Sequence, residues 1–157
     1  MFLQILHLGQ AALAAYGGKL SYVAITNFNK YEETSKKLAE YSSTAEHERH
    51  KTYTTQTSGA AAVFFSLFVS VLLALRGSTY GFLWRYMYQV AMVAGIFFAR
   101  EHIQGFWAGK TTGLKGALPK MGEYEEAQRS THQLLSVLDL LMFSWVATFV
   151  VALVIGY

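Results

Sequence analysis

The chain contains no cysteine, a single proline and few charges. The absence of Cys excludes a disulfide framework, a thiolate metal site, a cysteine nucleophile and thiol redox chemistry. One Pro and 13 Gly in 157 residues exclude a collagen-like or linker chain. Charged residues are only 15% of the chain. An average soluble domain carries about 25%. Hydrophobic residues reach 53%, which excludes a disordered tail, since such tails combine low hydrophobicity with high charge. The arrangement of the apolar residues then decides between a globular core and a membrane domain.

They are gathered in runs. A membrane-crossing helix needs about 20 mostly apolar residues, within a range of about 17–25. Windows at about 2–25, 59–76, 81–103 and 133–156 meet that requirement. The expected fold is all-α: one polytopic membrane domain, 1–157, folded as a four-transmembrane-helix bundle. Polar segments at about 27–57 and 108–131 join the spans. The first window does not read as a signal peptide. Nothing basic precedes it, and Gln4, His7, Gln10 and Lys19 interrupt it.

Lys and Arg are distributed unevenly between the connections. Lys30, Lys36, Lys37, Arg49 and Lys51 lie in the first polar segment. Arg100, Lys110, Lys115, Lys120 and Arg129 lie in or beside the last. The turn between the second and third windows has only Arg76 beside it, and both termini lack Lys and Arg. The positive-inside bias places both basic segments in the cytosol and both termini on the other side. An integral membrane protein of the endoplasmic reticulum or another endomembrane is expected, with the mitochondrial inner membrane as the alternative. Topology therefore accounts for the net charge of +3, and no nucleic-acid partner is expected.

The first polar segment contains no Pro. Asn29 is placed to cap a helix over 30–41, and Ser43 to Glu46 read as a capping box opening the next. These two helices are expected to extend the bundle as a cytosolic hairpin. In the last connection Gly109, Gly113, Gly116, Pro119 and Gly122 break regular structure, and a helix is expected to restart near Glu123. Ser58, Ala62, Ser66, Ser70 and Ala74 recur every four residues, a spacing that forms a small face for close helix packing. Aromatics at Tyr80, Trp84, Tyr86 and Tyr88 suit one membrane interface, and Phe106 and Trp107 suit the other.

Ionisable residues within spans are costly and are functional candidates by default. Lys19, Arg100, Glu101, His102 and Asp139 all fall near the cytosolic ends of their spans. Asp139, the only Asp in the chain, is expected to pair with Arg100, Lys19 or His102. The preferred role for this cluster is a charge-neutral clasp between helices. The alternative is acid/base chemistry by Glu101, His102 and Asp139. Towards the outer face lie Gln4, His7 and Gln10, together with Arg85 and Gln89, which stand one turn apart on a single helix face. Arg85 is expected to snorkel outward or meet a lipid phosphate, with binding of an anionic substrate as the alternative. Trp145 stands near mid-span as a packing residue, with a substrate-orienting role as the alternative.

No cofactor or metal is expected. His47 and His50 are three residues apart beside Glu46 and Glu48, but a solvated helix face explains one such pair better than a metal site does. His7 and His102 lie at opposite ends of their spans, which argues against a bis-His haem. No phosphate-binding Gly motif or nucleophile elbow is present. The expected function is a small membrane accessory or scaffolding subunit. Its expected partners are membrane lipids and membrane proteins or further copies of itself. The alternative is a membrane-embedded enzyme or binding protein for a lipophilic small molecule such as a sterol, polyketide, isoprenoid or lipid.

Overall fold

In a computed structural model of the chain, residues 1–39, 43–108 and 121–155 are described. Side-chain surroundings are described for 1–27, 29–30, 53–107 and 128–155. Every element among the described residues is helical. The order is α1 (Phe2–Ala39), α2 (Ser43–Arg76), a short 3-10 turn (Gly77–Thr79), α3 (Phe82–Ala108) and α4 (Met121–Ile155). The helices run this long because nothing interrupts them. The single Pro119 falls in the sequence between α3 and α4, outside the described helices.

Among the described residues, three helical stretches are long and apolar enough to cross a membrane: Tyr53–Thr79, Phe82–Trp107 and Gln128–Ile155. Helix α1 is not among them. Gln4, His7, Gln10 and Lys19 dilute its apolar character, so membrane-crossing length and composition extend to three of the four expected windows. At about 1.5 Å per residue the 38 residues of α1 span about 57 Å. The 34 residues of α2 span about 51 Å. Both exceed the roughly 30 Å hydrocarbon core of a bilayer.

Asn29 is not a cap. It lies exposed inside α1, which continues unbroken to Ala39 because residues 19–39 contain neither Gly nor Pro. Helix α2 begins at Ser43, where the capping-box sequence places a start. Helix α4 begins at Met121, two residues ahead of Glu123. The Gly-rich stretch 109–120 and the side chains of His47 and His50 lie outside the described residues.

Helix α1 packs along α2 and α4, and α3 packs along the same two. The result is a four-helix bundle with α1 and α3 on one diagonal. Helices α2 and α3 are joined by the tight turn at Gly77–Thr79, where Thr79 Oγ1 donates to the Arg76 carbonyl at 2.8 Å. Close approach is possible where side chains are small. A Cβ on Gly17 would sit 3.0 Å from Val137 Cγ1 and 3.2 Å from Val63 Cγ2. One on Gly59 would sit 2.8 Å from Ile103 Cδ1.

The surface is inverted relative to a water-soluble bundle. Phe64, Phe65 and Phe68 on α2, Leu83 and Phe98 on α3, and Phe143 and Val150 on α4 all face outward. Meanwhile His7, Gln10, Ser66, Ser70, Gln89 and Thr148 are buried. Apolar side chains turned outward with polar ones turned inward is the arrangement hydrocarbon solvent favours, since lipid cannot satisfy a polar group.

Candidate functional site

Each helix contributes one inward stripe. On α3 it is Gln89, Met92, Ile96, Ala99, Ile103 and Trp107, spaced three or four residues apart as one helix face requires. The middle of the bundle is apolar, built from residues such as Val63, Ile96, Leu138 and Leu141. Towards the end that carries both chain termini, every stripe turns polar. Helix α1 supplies His7 and Gln10, α2 Ser66 and Ser70, α3 Gln89, and α4 Trp145 and Thr148.

Hydrogen bonds set the levels of these groups. His7 Nδ1 lies 2.8 Å from Gln10 Oε1. An amide oxygen only accepts, so the imidazole donates from Nδ1. Gln10 Nε2 donates to Thr148 Oγ1 at 2.9 Å, and Thr148 Oγ1 donates to the Ser144 carbonyl at 2.7 Å. Trp145 Nε1 donates to Ser66 Oγ at 2.9 Å, and the His7 ring lies 5.7 Å from the Trp145 ring. Tyr86 OH donates to the Ala152 carbonyl at 2.9 Å and locks α3 to α4.

Register then places the remaining groups. Helices α3 and α4 are antiparallel, so three residues inward from the Tyr86–Ala152 bond brings Gln89 level with Phe149. Helices α2 and α4 are parallel, so four residues beyond the Ser66–Trp145 bond brings Ser70 to the same level. Ser70, Gln89, Thr148 and its partner Gln10 thus form one polar layer, with His7 beside it. Both amide atoms of Gln89 and the Ser70 hydroxyl are enclosed and meet no hydrogen-bond partner among the described residues. Each exposes none of its residue surface.

The opposite end of the bundle holds a smaller polar layer. There Gln56 Nε2 donates to Thr131 Oγ1 at 2.7 Å, with Thr55 and Ser130 also buried.

The charged residues lie on the outside of this half. Arg100 on α3 donates through Nε to Asp139 Oδ1 on α4. Its Nη1 reaches Glu101 Oε1 at 2.7 Å and Gln104 Oε1 at 2.9 Å. Of the three partners expected for Asp139, the structure selects Arg100. Lys19 and His102 are exposed and take no part in this cluster. Glu101 is held by Arg100, and His102 is exposed on the helix surface. Arg85 is tied to the turn, its Nη2 donating to the Ser78 carbonyl at 2.7 Å, so it points towards the bundle end and Gln89 towards the interior. Trp145 is fully buried and is both a packing residue and a hydrogen-bond donor. No group of three or more His, Cys, Asp or Glu residues able to hold a metal occurs among the described residues.

His7, Gln10 and Gln89 stand out in the sequence as polar residues within apolar windows, but their coming together does not. Thr148 does not stand out, and Ser66 and Ser70 read there as packing residues only. Polar residues at a spacing of three or four within otherwise apolar windows, such as Trp145 and Thr148, carried the available signal. No family model, curated protein or solved structure matches the chain.

Proposed function

We propose that the protein is a four-span membrane accessory subunit whose α3 face receives a transmembrane helix of a partner protein or of a second copy. The observation that carries this reading is the character of the outward side of α3. Ala91, Ala94, Gly95 and Gly105 are exposed there around the outward-facing Phe98, on the same side as Glu101 and His102. A Cβ added at Gly95 or Gly105 would meet nothing within 4 Å. A wall that meets only lipid has no need of small residues, whereas helix–helix contact in a bilayer depends on them. Of the three stretches apolar enough to cross a membrane, α3 is the least covered by its own bundle.

Helix α1 is read as the fourth span because its buried polar residues, His7 and Gln10, are turned inward, while Lys19 stands exposed towards the cytosolic end. Phe2, Ile5 and Leu8 face out while His7 and Gln10 face the bundle. The basic connections then face the cytosol and both termini face the opposite side. An endomembrane location accompanies that orientation. The catalytic alternative through Glu101, His102 and Asp139 has less support, since Arg100 engages both carboxylates and His102 is exposed on the surface.

The test is purification from native membranes in mild detergent, comparing the natural chain with Gly95→Leu. A stoichiometric membrane-protein partner or a second copy should accompany the natural chain and be lost from the variant, with folding unchanged. Recovery of the natural chain as a lone monomer would sink the reading.

A further inference from the structure

We propose that the helix docked on α3 belongs to a different protein and carries a Lys or Arg level with Glu101, an inference that rests on the docking face described above. The exposed residues Met87, Ala91, Ala94, Phe98, Glu101 and Gly105 follow one another along α3 in alternating steps of four and three. That spacing forms the seam along which two helices run together. Glu101 is its only charged member. It stands six residues, about 9 Å, inside the end of the apolar stretch at Trp107. A carboxylate on the lipid side at that depth is costly, and its stem is shorter than those of Lys and Arg, which reach the interface by snorkelling.

Arg100 does not balance the charge. Its one guanidinium engages two carboxylates, Glu101 and Asp139, so the three groups together carry one surplus negative charge. The packed helices bring no second cation to them among the described residues. Lys19 lies on α1, diagonally across the bundle from α3. Residues 53–75 of α2 hold no charge, and Arg129 stands ten residues, about 15 Å, from Asp139 along α4. His102 is exposed and makes no ion pair with either carboxylate among the described residues.

A second copy would not supply the missing charge. Two copies inserted in the same sense lay their α3 helices parallel, and a two-fold axis sets the seam residues against their own equivalents. Glu101 would meet Glu101, and the two copies together would hold two surplus negative charges. A basic side chain from another protein closes the charge, and its long stem suits a site just inside the interface.

The experiment uses the full chain as bait in a membrane two-hybrid selection. The probe is a library of leucine-based single-span helices with randomised seam positions, to which the chain's own α3 is added. Lys or Arg should be enriched over Gln at the position level with Glu101 by about three- to twentyfold, the range over which polar pairs couple inside bilayers. With Glu101→Gln as bait the enrichment should disappear, and with Glu101→Lys it should pass to Asp and Glu. Selected helices that are lost with Gly95→Leu but show no basic preference overturn the charge assignment and leave the docking face standing. Recovery of α3 itself in place of basic helices identifies a second copy and overturns the assignment too. Selection indifferent to Gly95→Leu removes the docking face and this inference with it. The enrichment is first read on the natural chain, so a variant that fails to fold does not affect it.

Discussion

Gln10 Nε2 donates to Thr148 Oγ1 and joins the first helix to the last across 138 residues of sequence. Both residues are buried, so the bond is made where no solvent competes. Polar pairs within membrane bundles couple by about 0.6 kcal/mol on average and by at most about 1.7 kcal/mol. Gln10→Leu and Thr148→Val should each lower unfolding stability in detergent. The double variant should fall short of additivity by an amount in that range. Full additivity would mean that the two helices are held by apolar packing alone.

Trp145 does two jobs that substitution can separate. Its indole fills the bundle, and its Nε1 donates to Ser66 Oγ. Trp145→Phe keeps most of the volume and should cost about 1 kcal/mol from the lost hydrogen bond. Trp145→Ala should cost about 3–5 kcal/mol, because a cavity is added to the lost contacts. Thermal unfolding of the purified chain followed by circular dichroism would check both.

The neighbouring glycines of α1 should respond differently to a methyl group. A Cβ at Gly17 meets Val137 and Val63 at 3.0 and 3.2 Å, and both are stiff β-branched side chains. Gly17→Ala should therefore destabilise by about 1–3 kcal/mol through overpacking. At Gly18 the nearest atom is 4.0 Å away. Gly18→Ala should be neutral, or stabilising by about 0.5–1 kcal/mol through lower chain entropy. Equal effects at the two positions would contradict the α1–α2 register.

The Arg100–Asp139 contact should matter less than its position in the sequence suggests. Both side chains are partly exposed, at 25% and 37%. Exposed ion pairs contribute about 1 kcal/mol or less. Where water reaches the contact, Asp139→Asn should lower stability by no more than that, and less at high salt. A loss of several kcal/mol would show that the pair is desolvated at the membrane boundary.

Topology can be read with single cysteines, since the natural chain has none. Phe2→Cys and Ile155→Cys place thiols at exposed positions near the two ends. Four spans require both to react with an impermeant reagent from the same side, opposite to Thr112→Cys. Reaction from opposite sides would reduce the crossings to three and lay α1 outside the bilayer.

Much of the fold follows from composition read along the chain. Long apolar runs without strand-like alternation and with one proline favour helices, which satisfy their own backbone in hydrocarbon. The start of α2 at Ser43 was marked by local capping chemistry, a short-range signal that survives in a linear string. The scarcity of charges narrowed the partners of Asp139 to Arg100, Lys19 and His102, and the packing of α3 on α4 chose Arg100. The Asn29 cap failed for a related reason. A cap residue ends or begins a helix only where the chain also breaks, and 19–39 has no breaker.

The rotation of each helix about its axis was a different matter. A helix that is apolar on nearly all sides carries little periodic signal, so its sequence does not say which face turns inward. Tight contacts such as Gly17 against Val63 and Val137, and the Trp145–Ser66 and Gln10–Thr148 bonds, set those rotations. They brought His7, Gln10, Ser70, Gln89 and Thr148 into one layer and turned Lys19 and His102 away from the charged cluster. Linear sequence specified a helical membrane chain with a few polar residues in its spans. Packing between helices far apart in sequence settled which of those residues share an interior, because that depends on contacts no single span encodes.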